Sequence, residues 1–225
     1  MKKISLFALA LSSSMALFAQ DNQMTTPMAR ATRFGIKGGV NLAEFRANGF
    51  QSGTQPGTNM KTSFHGGFLL NAPLGTGGFA IQPEVVYSGQ GSKLNVKTTV
   101  GSVTTSQAYE QDLGYINVPI MLQWKSAGGF FVETGPQAGF LVRAKQDGPG
   151  DTELDNKDNF DKFDFSWGAG LGYMSRVGLG IGARYNLGLT NTLEDGGGNN
   201  SANNGAELKN KVVQIGLFWQ FGAGK

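Results

Sequence analysis

The chain has 225 residues, including 35 glycines and 16 phenylalanines, and contains no cysteine. The missing thiols exclude disulfides, Cys-based metal or redox centres and a lipid-anchored lipoprotein. Its 19 Lys and Arg against 16 Asp and Glu give +3, and without Lys2 and Lys3 the count is 17 against 16, with no basic cluster to suggest nucleic acid.

Met1-Lys2-Lys3 is a basic head, Ile4 to Leu11 an uncharged apolar run, and Ser12, Ser13, Ser14 and Ala16 supply small residues. This pattern predicts a signal peptide over residues 1–19, cut after Ala19, with a cut after Ala16 as the alternative. Residues 20–32 are polar, contain Pro27, show no periodicity and read as a periplasmic tail. Beyond the leader no stretch approaches the roughly 18 consecutive apolar residues of a membrane helix.

Eight segments then alternate with period two. The first sets Phe34, Ile36, Val40 and Leu42 against Lys37, Gly39 and Asn41. The second sets Phe64, Phe68, Leu70 and Leu74 against His65, Gly67 and Asn71, and the third Phe79, Ile81, Val85 and Tyr87 against Gln82, Glu84, Ser88 and Gln90. The fourth has Ile116, Val118, Ile120, Leu122 and Trp124 opposite Asn117, Gln123 and Lys125. The fifth has Phe130, Val132, Ala138, Phe140 and Val142 opposite Glu133, Gln137 and Arg143. In the sixth, Phe165, Trp167, Leu171 and Tyr173 oppose Ser166, Gly168, Gly170 and Gly172. The seventh pairs Leu179, Ile181, Tyr185 and Leu187 with Gly182, Arg184 and Asn186, and the eighth Val213, Ile215, Leu217 and Trp219 with Gln214, Gly216 and Gln220.

A soluble sheet also alternates, but it fills its solvent face with Lys, Glu and Thr. Here the polar face is mainly Gly, Asn, Gln and Ser, and the apolar face carries no charge. A charge on a lipid-facing wall costs roughly 2–4 kcal/mol at the bilayer midplane. The pattern therefore predicts an all-β fold, an eight-stranded antiparallel up-and-down transmembrane β-barrel over 33–221 with a tail at 222–225. Short turns at 75–78, 126–129 and 175–178 alternate with long polar connections at 44–61, 92–110, 145–163 and 191–210. Short periplasmic turns and long extracellular loops are the outer-membrane arrangement. The apolar aromatics fall into a girdle at each end. Pro83, Pro119 and Pro136 interrupt strands without a change of phase, which argues against one-residue bulges.

The segments Gly35 to Leu42, Ile81 to Ser88, Tyr115 to Leu122, Glu133 to Gly139 and Ala183 to Asn191 resemble the PorT-like outer-membrane β-barrel family common in Bacteroidetes. The three prolines lie inside these motifs. The resemblance covers roughly 33–221 and implies outer-membrane location, with no common ligand or reaction. A namesake member takes part in protein secretion, a role that fold alone does not transfer.

The inward ionisable residues Lys37, His65, Glu84, Lys125, Glu133, Arg143 and Arg184 form the candidate lumen network, with Glu84, Glu133, Arg184 and Lys37 at its centre. Side chains can fill an eight-stranded barrel, so the expected role is a closed polar core; a thin selective pore is the alternative. His65 is the sole histidine, and Ser63 and Ser88 are the available hydroxyls, but no motif assembles a catalytic site. Asp151, Glu153 and Asp155 begin like a calcium loop, yet Asn156 replaces the turn Gly and Lys162 the last Glu. The expectation is a non-enzymatic protein without cofactor or metal, held by outer-membrane lipid. Its four long connections would meet an extracellular ligand or envelope proteins; a narrow channel and an accessory secretion component are the alternatives.

Overall fold

The computed structural model describes residues 31–48, 57–100, 103–147, 153–155, 160–192 and 207–222. The leader 1–19, most of the tail at 20–32 and the Gly/Asn-rich run 196–205 lie outside the described residues. Ten strands follow in chain order: β1 (Arg33–Asn48), β2 (Gly57–Asn59), β3 (Lys61–Leu74), β4 (Phe79–Val100), β5 (Val103–Lys125), β6 (Phe130–Asp147), β7 (Glu153–Asp155), β8 (Phe163–Met174), β9 (Leu179–Gly188) and β10 (Glu207–Gln220).

Eight of them close a barrel. β1 pairs antiparallel with β3, from Arg33↔Asn71 to Ala43↔Lys61, and with β10, from Gly35↔Gln220 to Asn48↔Glu207. The remaining barrel strands pair in the sequence β3–β4–β5–β6–β8–β9–β10. Closure leaves the wall no free edge, which is the only way strands can cross a bilayer with their backbone satisfied.

The polarity of the wall is inverted relative to a water-soluble protein. Phe64 is 63% exposed and Leu217 58%, whereas Asn41 and Ser88 are wholly buried and Glu84 is 2% exposed. Apolar side chains face the surroundings because lipid is the solvent there, and the polar face turns inward. Stacked rings at one end, Phe34 with Phe68 and Phe221, and paired rings at the other, Phe64 with Tyr87 and Phe140 with Phe163, mark the two aromatic levels.

The tight turns share one construction. Gly78, Gly129 and Gly178 hold φ of 82°, 94° and 88°, and their carbonyls accept the N–H of Lys125, Met174 and Gln220 at 2.9, 2.8 and 2.9 Å. Only glycine adopts that conformation without strain.

The long connections carry more strand than expected. Residues 92–110 are not a loop: β4 and β5 pair without interruption from Val86↔Asn117 to Val100↔Val103. β-Branched residues at 96, 98–100 and 103–105 around a two-residue Gly-Ser connection give the reason. Strand also occupies 44–48 and 57–59 of the first connection, 145–147 and 153–155 of the third, and 207–210 of the fourth. The stretch read as calcium-loop-like thus contributes β7, paired to β6; its side chains lie outside the described residues.

The prolines open the ladder without shifting it. Pairing of β3 with β4 stops at Leu69↔Glu84 and resumes at Ala72↔Ile81 in the same register. The β4–β5 ladder breaks between Pro83↔Ile120 and Val86↔Asn117, and β5–β6 between Pro119↔Gln137 and Leu122↔Thr134, again without slip. Each proline therefore turns its missing donor towards the preceding strand, and the cost is a local gap rather than a bulge. The one register shift of the β5–β6 pair lies elsewhere, between Gly114 and Tyr115.

Candidate functional site

The lumen holds three layers. The central one is ionic. Arg184 on β9 meets Glu84 on β4 end-on, Nη1 donating to Oε2 at 2.9 Å and Nη2 to Oε1 at 2.7 Å. Its Nε donates to Glu133 Oε1 on β6 at 2.8 Å, and the Lys37 ammonium on β1 donates to Glu84 Oε2 at 3.0 Å. Two cations thus meet two carboxylates, with the Glu84 side chain fully enclosed. Gly170 lies between Glu133 and Arg184 in one row of the sheet, and a Cβ there would come within 3.0 Å of Glu133 Oε1. The glycine leaves the space through which the two charges touch.

Amides extend this tier. Gln82 donates to Glu84 Oε1 at 2.9 Å, and Asn71 donates to Gln82 and Gln123 at 3.0 and 3.1 Å. Buried charges cost several kcal/mol each unless paired and hydrogen-bonded throughout, and this arrangement meets that condition.

A neutral layer sits around Asn41. Its Nδ2 donates to Ser88 Oγ at 3.0 Å and the Gly89 carbonyl at 2.7 Å, while its Oδ1 accepts from His65 Nδ1 at 2.7 Å and Gln214 Nε2 at 3.2 Å. A Cβ on Gly39 or Gly216 would lie 2.9 Å from the His65 ring, so the imidazole fills a slot those glycines leave. The partner of His65 is an amide rather than a carboxylate, and Ser63 Oγ donates to the Gly89 carbonyl at 2.6 Å.

Apolar groups close both ends. Towards the tight turns, Phe131 and Phe218 meet edge-on at 5.7 Å. Gly172 and Gly180 make room for them: a Cβ at those positions would stand 2.5 and 2.2 Å from the two rings. Towards the long connections, Phe45, Leu113, Tyr115, Leu141, Ala144, Phe160 and Leu208 form a buried cluster. Phe160 joins it because residues 160–162 run on from β8 between its two neighbours, with Asp161 N donating to Thr192 O at 3.0 Å and Leu141 N to Lys162 O at 2.9 Å. Between the ionic tier and the lower rings remains a cavity of about 30 Å³, lined by Lys37, His65, Glu133, Arg184, Phe131 and Phe218 among others. That is room for about one or two waters.

Of the seven ionisable residues singled out in the sequence, Lys37, Glu84, Glu133 and Arg184 meet in one cluster, and His65 lies in the adjoining layer. Lys125 ends β5, half-buried, opposite Phe131 in the ladder. Arg143 is not in the lumen. Leu141 and Ala144 are both buried while Val142 and Arg143 between them are both exposed, because the β5–β6 register shift inserts one residue and reverses the phase.

Sequence reasoning missed Asn41 as the hub, and it missed Phe131 and Phe218, whose parity places them inside. It also missed Asp164, which is 3% exposed and accepts from Thr190 Oγ1 at 3.1 Å. Extending the alternation of Ser166 and Gly168 back by two residues would have found it. Lys61, also buried, pairs with Asp112 and with Glu110 at 3.0 Å, tying β3 to the β4–β5 hairpin.

The family model for the outer membrane protein beta-barrel domain matches residues 18–194. No curated protein matches the sequence. Similar solved structures include the attachment invasion locus protein Ail of Yersinia pestis, 13% identical over 84% of this chain and 99% of that one, at a TM-score of 0.44. Neisserial surface protein A is 11% identical over 85% of this chain and all of its own, at 0.46, and the outer membrane protease OmpT of Escherichia coli 11% over 88% and 99%, at 0.39. With an inverted wall, a closed eight-stranded ladder and this family match, the chain belongs to the outer membrane protein beta-barrel domain family and resides in the bacterial outer membrane.

Proposed function

We propose that this protein is a non-conducting, non-enzymatic barrel whose lumen is a structural core and whose recognition surface is the long-connection end, facing outward from the cell. The observation that carries the reading is the doubly capped lumen: an ion-paired tier between two apolar closures, with a cavity of about 30 Å³ between the tier and the lower rings. A pathway for solutes needs continuous hydrated space, and side chains fill the interior instead. The amide partner of His65 supports the non-enzymatic reading, since a general base needs an orienting acid and a nucleophile within reach.

The paired β4–β5 hairpin up to Val100↔Val103 supports the hairpin as the dominant feature of that surface. A protease site inserted between residues 101 and 102 is then cut on intact cells; protection there would reverse the orientation. In planar bilayers the purified barrel is silent, and steady conductance would overturn the structural-core reading. The motifs at 35–42, 81–88 and 115–122 support a PorT-like affiliation within the family. An envelope-secretion role would appear as co-isolation with other envelope proteins.

A further inference from the structure

The residue expelled from the lumen has its own setting. The outward apolar face is otherwise free of charge along the eight alternating segments, and the β5–β6 irregularity places Arg143 on it. β-Bulges re-aim side chains, and this one turns a guanidinium out of a polar interior. No ion pair or hydrogen bond to Arg143 occurs among the described residues.

Its surroundings are aromatic and polar. Gly114 lies opposite Arg143, and a Cβ there would come within 2.8 Å of Tyr87 Oη and 3.1 Å of Arg143 Cβ. The Tyr87 hydroxyl therefore lies over Gly114 beside the stem of Arg143, where only a glycine leaves room for it. Phe64, tilted against Tyr87 at 5.6 Å, and Phe140, at 5.7 Å from Phe163, belong to the same aromatic level. The height also fits a headgroup. Phe130 stands at the tight-turn girdle, and Arg143 is thirteen residues further along β6. At about 3.3 Å per residue and a tilt of roughly 35–45°, that is about 30–35 Å along the normal, beyond an apolar band of about 25 Å.

We propose that Arg143 and Tyr87, side by side over Gly114, bind the phosphate of a membrane lipid in the leaflet at the long-connection end. A guanidinium takes two phosphate oxygens side by side, and the Tyr87 hydroxyl donates to a third oxygen. The acyl chains then lie against the apolar wall below. This site is independent of whether the lumen conducts or what the hairpin recognises.

The test uses the full-length barrel folded in dodecylmaltoside, which carries no phosphate, observed by the ¹⁵N signals of the Arg143 Nε and the Gly114 amide. Dihexanoyl phosphatidic acid is expected to shift both with saturation. Arg143→Gln abolishes the Gly114 response, and Tyr87→Phe weakens it about five- to tenfold, the loss of one hydrogen bond. An equal response to dihexanoylglycerol, which carries no phosphate, would mean that the arginine merely snorkels, and an equal response to inorganic phosphate would mean a free-anion site; either overturns the proposal. So would an undiminished response in both variants.

Discussion

The ionic tier and the apolar caps fill the same lumen by opposite physics. In the tier, Arg184, Lys37, Glu84 and Glu133 each offset the cost of burying the others. Its stability is conditional, and the loss of one member leaves the rest exposed to an unpaid desolvation cost. In the lower cap, Phe131 and Phe218 gain by leaving water and settle over glycines of β8 and β9, so damage is graded with volume. A layer of the first kind fixes which side chains must meet and hence the strand register. A layer of the second kind excludes water and tolerates partial change.

The largest effect should follow from breaking the tier alone. Arg184→Met leaves Glu84 and Glu133 facing each other across Lys37 and should cost about 3–5 kcal/mol in urea unfolding of the folded barrel. Adding Glu84→Gln and Glu133→Gln to that variant should return much of the loss, which no simple packing defect would do. Phe131→Ala should cost about 3 kcal/mol, with no comparable rescue by charge neutralisation. Gly180→Ala, which drives a methyl into the Phe218 ring, should cost about 1–3 kcal/mol and be relieved by Phe218→Leu. Asn41→Ala strands His65 and Gln214 without an acceptor and should fall in the same range of about 1–3 kcal/mol. The smallest effect belongs to the wall. Pro83→Ala supplies the missing donor towards β3 and should change stability by less than about 1 kcal/mol, while creating one new slowly exchanging amide.

Much of the fold could be read from parity. Once Phe34, Ile36 and Val40 face lipid, Lys37 and Asn41 must face inward, and the same step places Glu84, Glu133 and Arg184. Three things escaped it. Parity carries no memory across an inserted residue, so Arg143 was placed on the wrong face. Polarity was taken as the mark of the interior, and Phe131 and Phe218 were passed over although the facing glycines on β8 and β9 leave room for them. The connection 92–110 looked polar, and its Thr- and Val-rich halves on either side of Gly101-Ser102 were not weighed as a hairpin. Which charges touch depends on strand adjacency and on gaps such as Gly170, neither of which one strand's pattern contains.

The claim that both kinds of layer close one lumen is tested most directly by single-channel recording in planar bilayers. Wild type, a tier variant with Lys37, Glu84, Glu133 and Arg184 all neutralised, and a cap variant with Phe131 and Phe218 at one end and Phe45 and Phe160 at the other cut to alanine should each be silent, and only their combination should conduct. A steady conductance in the wild-type barrel that changes when Glu84 or Arg184 is replaced would contradict the account.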